Sequence, residues 1–148
     1  MNTDRQVARR TVLLGGVGAA GLALAGCFGG RSDTAAVQEA LQEAVESLSE
    51  YVAGTIQYQD GFSQGTVMSG NIVVGTSTRA ETERALERVH ETLLRAYLQQ
   101  SNVRNASVKF RAYPPDREDE VVTSADIAAP PGEVSVDTDD LIEQFDIG

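Results

Sequence analysis

Residues 78–100 read TRAETERALERVHETLLRAYLQQ, and this stretch decides the fold. Thr78 and Glu81 stand in capping-box spacing, where each side chain satisfies a free amide of the other's first turn. Leu86, Val89, Leu93 and Tyr97 then recur at three- and four-residue steps, with Leu94 and Leu98 widening one side. That period predicts an amphipathic helix over Arg79 to Gln100. Glu81, Glu83, Glu87 and Glu91 interleave with Arg84, Arg88 and Arg95 on the remaining surface, in spacings that favour ion pairs.

The flanks of this helix read as strands. Upstream, Phe62 to Val74 carries Val67, Ile72, Val73 and Val74 with Gly65 and Gly70 interspersed. Glycines inside a strand signal a bulge or a close backbone approach. Asp60-Gly61 is a hairpin signal joining this run to Thr55–Tyr58, where Ile56 and Tyr58 share a face. Downstream, Val108, Phe110 and Ala112 alternate with Lys109 and Arg111, a strand buried on one side. Pro114-Pro115 stops it. Val121 to Thr123 predicts a short partner strand, followed by a loop at Ala128–Glu133.

A second amphipathic period predicts a helix over Thr34 to Val52, through Val37, Leu41, Ala44, Leu48 and Tyr51. Asp33 or Ser32 caps its start, Gly54 ends it, and Glu39, Glu43, Glu46 and Glu50 form a solvated face. Thr138 is expected to cap a last helix over Asp139 to Phe145. The expected order is α-β-β-α-β(-β)-α. This is an α+β two-layer sandwich, with a mostly antiparallel sheet of three or four strands under two long helices.

The chain's beginning has another character. Arg5, Arg9 and Arg10 precede an uncharged run of about 16 residues, Thr11 to Gly26. A basic start, an apolar middle and a small-residue end make a secretory signal peptide. A spanning helix needs roughly 20 predominantly apolar residues, so a permanent transmembrane anchor is the weaker reading. Gly16-Val-Gly18-Ala-Ala-Gly21 matches a dinucleotide fingerprint in letters only, because these glycines sit inside the apolar core of a signal peptide rather than in a strand–helix–strand unit.

Leu24-Ala25-Gly26-Cys27 resembles the lipobox of prokaryotic lipoproteins. The resemblance implies a diacylglyceryl group on the Cys27 sulfur and cleavage before Cys27. Residues 1–26 would then be a removed signal peptide, 27–33 a lipidated tether and 34–148 one α+β domain. Arg9-Arg10 before Thr-Val-Leu-Leu resembles the twin-arginine export signal. Ala8 departs from that pattern, and the general secretory route stays open.

Residues Gly65 to Phe110 are similar to BON domains, which occur in envelope proteins and are linked to phospholipid binding. The likeness rests on Gly65-Thr-Val-Met-Ser-Gly70 before a long helix and on Val103 to Val108 entering a strand. The glycine usual before Val103 is missing.

Charge and composition narrow the function. The chain has 12 basic and 22 acidic residues, and the leader holds three and one of these, leaving about −12. That argues against nucleic acid as a partner and against charge-driven binding to anionic lipid. Cys27 is the single cysteine and His90 the single histidine, so a Cys/His zinc set cannot form. No cofactor or metal site is expected. His90 lies beside the apolar stripe without a recognisable nucleophile or second base. Asn105-Ala-Ser107 matches a glycosylation acceptor, a pattern of low specificity. Asp137, Asp139 and Asp140 suit a helix N-terminus and lack the spacing of a calcium loop.

The expectation is a non-enzymatic lipoprotein, held on the extracytoplasmic face of the cell membrane through Cys27, that binds an envelope protein or ligand. The alternative is a small envelope hydrolase using Asp, Glu and His90. A deep pocket at His90 with a perturbed carboxylate favours the alternative. A filled core with a flat sheet face favours the binding module.

Overall fold

The structure is a computed structural model and describes residues 30–148. Helix α1 spans Thr34–Glu46, and strands β1 (Tyr51–Gly61) and β2 (Gly65–Val74) follow as a hairpin. Helix α2 (Arg79–Leu98) leads to β3 (Ser107–Tyr113). The two-residue strand β4 (Val122–Thr123) runs into helix α3 (Ser124–Ala128). In the same way β5 (Val136–Asp137) runs into helix α4 (Thr138–Phe145).

The result is a mixed α+β domain with an open five-stranded sheet and four α-helices among the described residues. Strand β1 pairs antiparallel with β2, and β2 pairs parallel with β3 through the α2 crossover. Both β4 and β5 pair antiparallel with the far edge of β3. The three or four expected strands are therefore five. The fifth went unread because two residues carry no alternation.

Ile56, Tyr58, Met68, Ile72, Phe110 and Ala112 from the sheet are buried in one core with Val37, Leu41 and Val45 of α1 and Leu86, Val89, Leu93, Leu94 and Tyr97 of α2. The predicted α2 stripe is thus the buried one, except that Leu98 is exposed. The Thr78/Glu81 capping box forms as read. Two more, Thr123/Asp126 and Asp137/Asp140, start α3 and α4, so Asp137 takes the cap position expected of Thr138.

The first helix is shorter than its sequence period. It stops at Glu46, with Ser47 as C-cap, and Tyr51 already pairs with Val74. A turn at Ser47–Glu50 and the start of β1 at Tyr51 override the helical pattern of Leu48, Tyr51 and Val52. Gly54, expected to end the helix, instead lies inside β1 with φ +136°. A Cβ there would stand 2.4 Å from the Asn71 carbonyl oxygen, so the position needs glycine.

Side chains close both edges of the sheet. On the β1 edge, Gln38 accepts from the Tyr58 amide at 2.7 Å and donates to the Ile56 carbonyl. One turn along α1, Gln42 accepts from the Ile56 amide at 2.8 Å. Two glutamines thus stand where another strand would otherwise pair. On the β3 edge, Ser124 Oγ accepts from the Phe110 amide at 2.8 Å, and Thr138 Oγ1 accepts from the Ala106 amide at 3.0 Å. Each hydroxyl opens a short helix after a two-residue strand. The β4–α3 and β5–α4 units therefore dock on β3 in the same manner, with Val122 opposite Ala112 and Val136 opposite Val108.

Candidate functional site

Cys27, Arg9, Arg10, Leu24, Ala25 and Gly26 lie outside the described residues. The structure bears on three other places: His90, the uncovered sheet face and the start of the domain.

His90 faces the core from α2 and is 0% exposed. Its ring lies 5.9 Å from the Phe110 ring. Its Nε2 sits 2.9 Å from Ser124 Oγ, a partner that sequence spacing did not show because the two are 34 residues apart. Burial pushes the His90 pKa down to about 4. Among the described residues, the ring Nδ1 has no hydrogen-bond partner.

A serine beside a histidine invites comparison with a nucleophile–base pair. The chemistry here is poorly suited to that role. A base with a pKa near 4 takes a hydroxyl proton reluctantly at neutral pH. Among the described residues, no carboxylate meets Nδ1 to stabilise the imidazolium that would form. Ser124 is itself buried, and its oxygen is engaged by the Phe110 amide. A hollow of about 300 Å³ between Val134, Val136, Lys109 and Ser124 lies outside it, and His90 does not reach that lining. The pair therefore reads as a structural link, in which α2 holds α3 against β3.

The opposite face of the sheet is uncovered by the described residues. Successive rows across β1, β2 and β3 place Gln57, Ser69 and Lys109 together, then Thr55, Asn71 and Arg111. Thr55, Gln57, Asn71, Lys109 and Arg111 are exposed, and Ser69 is half-buried. The next row outward, Ala53, Val73 and Tyr113, adds an apolar margin. Because Ser69 is small, the middle of this face is a shallow depression of about 390 Å³ between Thr55, Gln57, Asn71 and Lys109. It offers amides, hydroxyls and two cations, with no acid on these rows. In a chain of net charge −10 this concentration of donors is distinctive. No carboxylate, histidine or cysteine stands on these rows. The face can bind a polar or anionic surface.

The start of the domain is fastened to the β1–β2 hairpin. Ser32 Oγ donates to Asp60 Oδ2 at 3.0 Å and lies 2.8 Å from the Tyr58 hydroxyl. Arg31 Nη2 donates to the Asp60 carbonyl at 3.0 Å. Arg104 from the α2–β3 loop forms an ion pair with Asp60, whose side chain is 2% exposed. Burial alone would push the Asp60 carboxyl up. Hydrogen bonds from Arg104, Ser32 and Thr66 outweigh it and hold the group below its ordinary value. Tyr97 donates to the Arg104 carbonyl at 2.8 Å, and burial pushes its hydroxyl pKa well up. One buried carboxylate thus ties the tether end, the hairpin and the end of α2 together.

Glu39, Glu43 and Glu46 of α1 form a solvated face as expected, but Glu50, also assigned to that face, lies beyond the helix, half-buried and paired to Arg88. Among the described residues, no three His, Cys, Asp or Glu side chains converge as metal ligands. No helix among them is long and apolar enough to cross a membrane. No family model, curated protein or solved structure matches this chain.

Proposed function

We propose that this chain is a lipid-anchored envelope protein, held at the membrane through Cys27, whose domain works as a non-enzymatic binding module. The uncovered polar sheet face is its binding surface. The observation that carries the reading is the contrast between the sheet's two faces: one filled around His90, the other open and lined by Gln57, Asn71, Lys109 and Arg111. The lipobox at Leu24–Cys27 supports the anchoring, and Arg9-Arg10 supports export of the folded chain by the twin-arginine route. The layout is a two-layer sandwich in which α1 and α2 cover the same sheet face. That is in keeping with the BON-like resemblance and with binding to an envelope component.

Two measurements test this. Cys27→Ala moves the protein from the membrane fraction to the soluble fraction; unchanged fractionation sinks the anchor. A photo-crosslinking side chain placed at Gln57 or Asn71 captures a partner in intact membranes, while one at Glu87, on the outer side of α2, does not. Equal capture from both faces sinks the sheet-face assignment.

The hydrolase reading has one observation in its favour, the 2.9 Å approach of Ser124 to His90. A fluorophosphonate adduct on Ser124 of the purified protein would establish it. The burial of both residues leads us to expect none.

A further inference from the structure

Phe62 is 93% exposed at the tip of the β1–β2 hairpin. A bare phenyl ring on a turn contributes nothing to the core, so its placement asks for another account. The Arg31 guanidinium lies over this ring, 3.5 Å from its centre. Arg31 is also the fourth residue after Cys27. Four peptide units span at most about 14 Å when fully extended. Ser32 is locked to Asp60 and Tyr58, so the hairpin cannot swing away from the tether.

We propose that the hairpin tip at Phe62, flanked by Arg31 and Arg104, rests in the headgroup layer of the membrane and fixes the orientation of the domain on it. This rests on the lipid-anchor reading given above. If Cys27 carries acyl chains buried in the bilayer, its backbone sits at the bilayer surface. The short tether and the Asp60 clasp then leave the hairpin tip within reach of that surface. Aromatic and aliphatic side chains paired with arginine suit this layer: the apolar body sinks toward the acyl boundary while the cation stays among phosphates.

Local charge agrees with this. Residues Gly61 to Ala80 and Thr92 to Pro115 contain no acid. Asp60, the acid nearest the tip, is neutralised by Arg104. Leu98, exposed at the end of α2 next to Tyr97, belongs to the same end of the molecule. Asp33, which caps α1, is exposed; beyond the far edge of β3, Asp139 is exposed while Asp137 and Asp140 are half-buried. Net acidity therefore does not keep this end off a bilayer, although it disfavours flat adsorption of the remaining surface.

The chain has no tryptophan, so Phe62→Trp places a single reporter at the tip. The processed protein is purified with its lipid and reconstituted in phosphatidylglycerol–phosphatidylcholine vesicles with brominated acyl chains. Val134→Trp, at a position 89% exposed on another part of the surface, is the reference. The expected result is a blue-shifted emission and bromine quenching for Phe62→Trp, with neither for Val134→Trp. The shift should weaken in phosphatidylcholine alone and when Arg31→Gln is added. Water-like, unquenched emission from Phe62→Trp overturns the inference while leaving the anchor intact, provided mass spectrometry finds the lipid on Cys27. If no lipid is found there, both the anchor and this inference fall.

Discussion

Leu93 lies in the second half of α2, is buried in the core, and is flanked by at least a full turn of helix on both sides. Truncating such a side chain removes burial and leaves a cavity, at a cost of about 2–5 kcal/mol. Leu93→Ala is therefore expected to lower Tm by roughly 10 °C or more in a domain of this size. Glu91, two residues away, makes a surface ion pair with Arg95, and Glu91→Ala should change Tm little. Thermal unfolding of both variants checks the assignment, and equal losses would contradict it. His90 predicts a pH effect. Its imidazole titrates near 6.5 when unfolded and at about 4 in the native core. Between those values the unfolded chain binds a proton that the native chain does not, so stability falls as pH drops from 6.5 towards 4, by about 3 kcal/mol in total. Denaturant unfolding at pH 7, 6 and 5 should show this decline, and His90→Gln should flatten it. Asp60 acts lower on the scale: its depressed pKa gives stability that is lost as acid protonates the carboxylate.

At the scale of elements, the two glutamines of α1 do what an edge strand usually needs a charge or a bulge to do. They occupy the Ile56 and Tyr58 backbone groups that a second sheet would otherwise use. Gln38→Ala with Gln42→Ala should cost about 1–3 kcal/mol for the bonds lost. It should also create a self-associating edge, seen as concentration-dependent dimers by light scattering. A monomer of unchanged stability would show that water replaces the amides without penalty. Which elements were legible follows from how local their signals are. Helix α2 and strand β3 carry their period and stop signals within themselves, so both were read from sequence. The end of α1 differs from its period because Leu48, Tyr51 and Val52 keep helical spacing while β1 begins at Tyr51, which pairs with Val74 of β2. Strand β5 and helix α3 are too short for any period. Their one signal was a repeat: Val122-Thr-Ser-x-Asp126 and Val136-Asp-Thr-x-Asp140 share valine, cap, hydroxyl and acid in the same order. The uncovered sheet face was legible as the polar half of an alternation. The Ser124–His90 approach was not, because it depends on where β4 docks.

For the molecule as a whole, Arg31 and Ser32 are bonded to the β1–β2 hairpin, so the start of the domain and the hairpin form one unit. If the twin-arginine machinery carries the chain, Arg9→Lys with Arg10→Lys should leave an unprocessed precursor inside the cell, visible as a larger band on an immunoblot. Undiminished processing would point to the general secretory route. The far edge of β3 has a consequence in time as well as in space. Everything bonded to that edge comes from the chain beyond Pro115. While the ribosome is still adding these residues, the amides of Ala106, Val108, Phe110 and Ala112 have no partner, and the nascent domain carries an open sheet border. That border closes only once residues as far as Thr138 have left the exit tunnel, well after β1, β2, α2 and β3 have emerged.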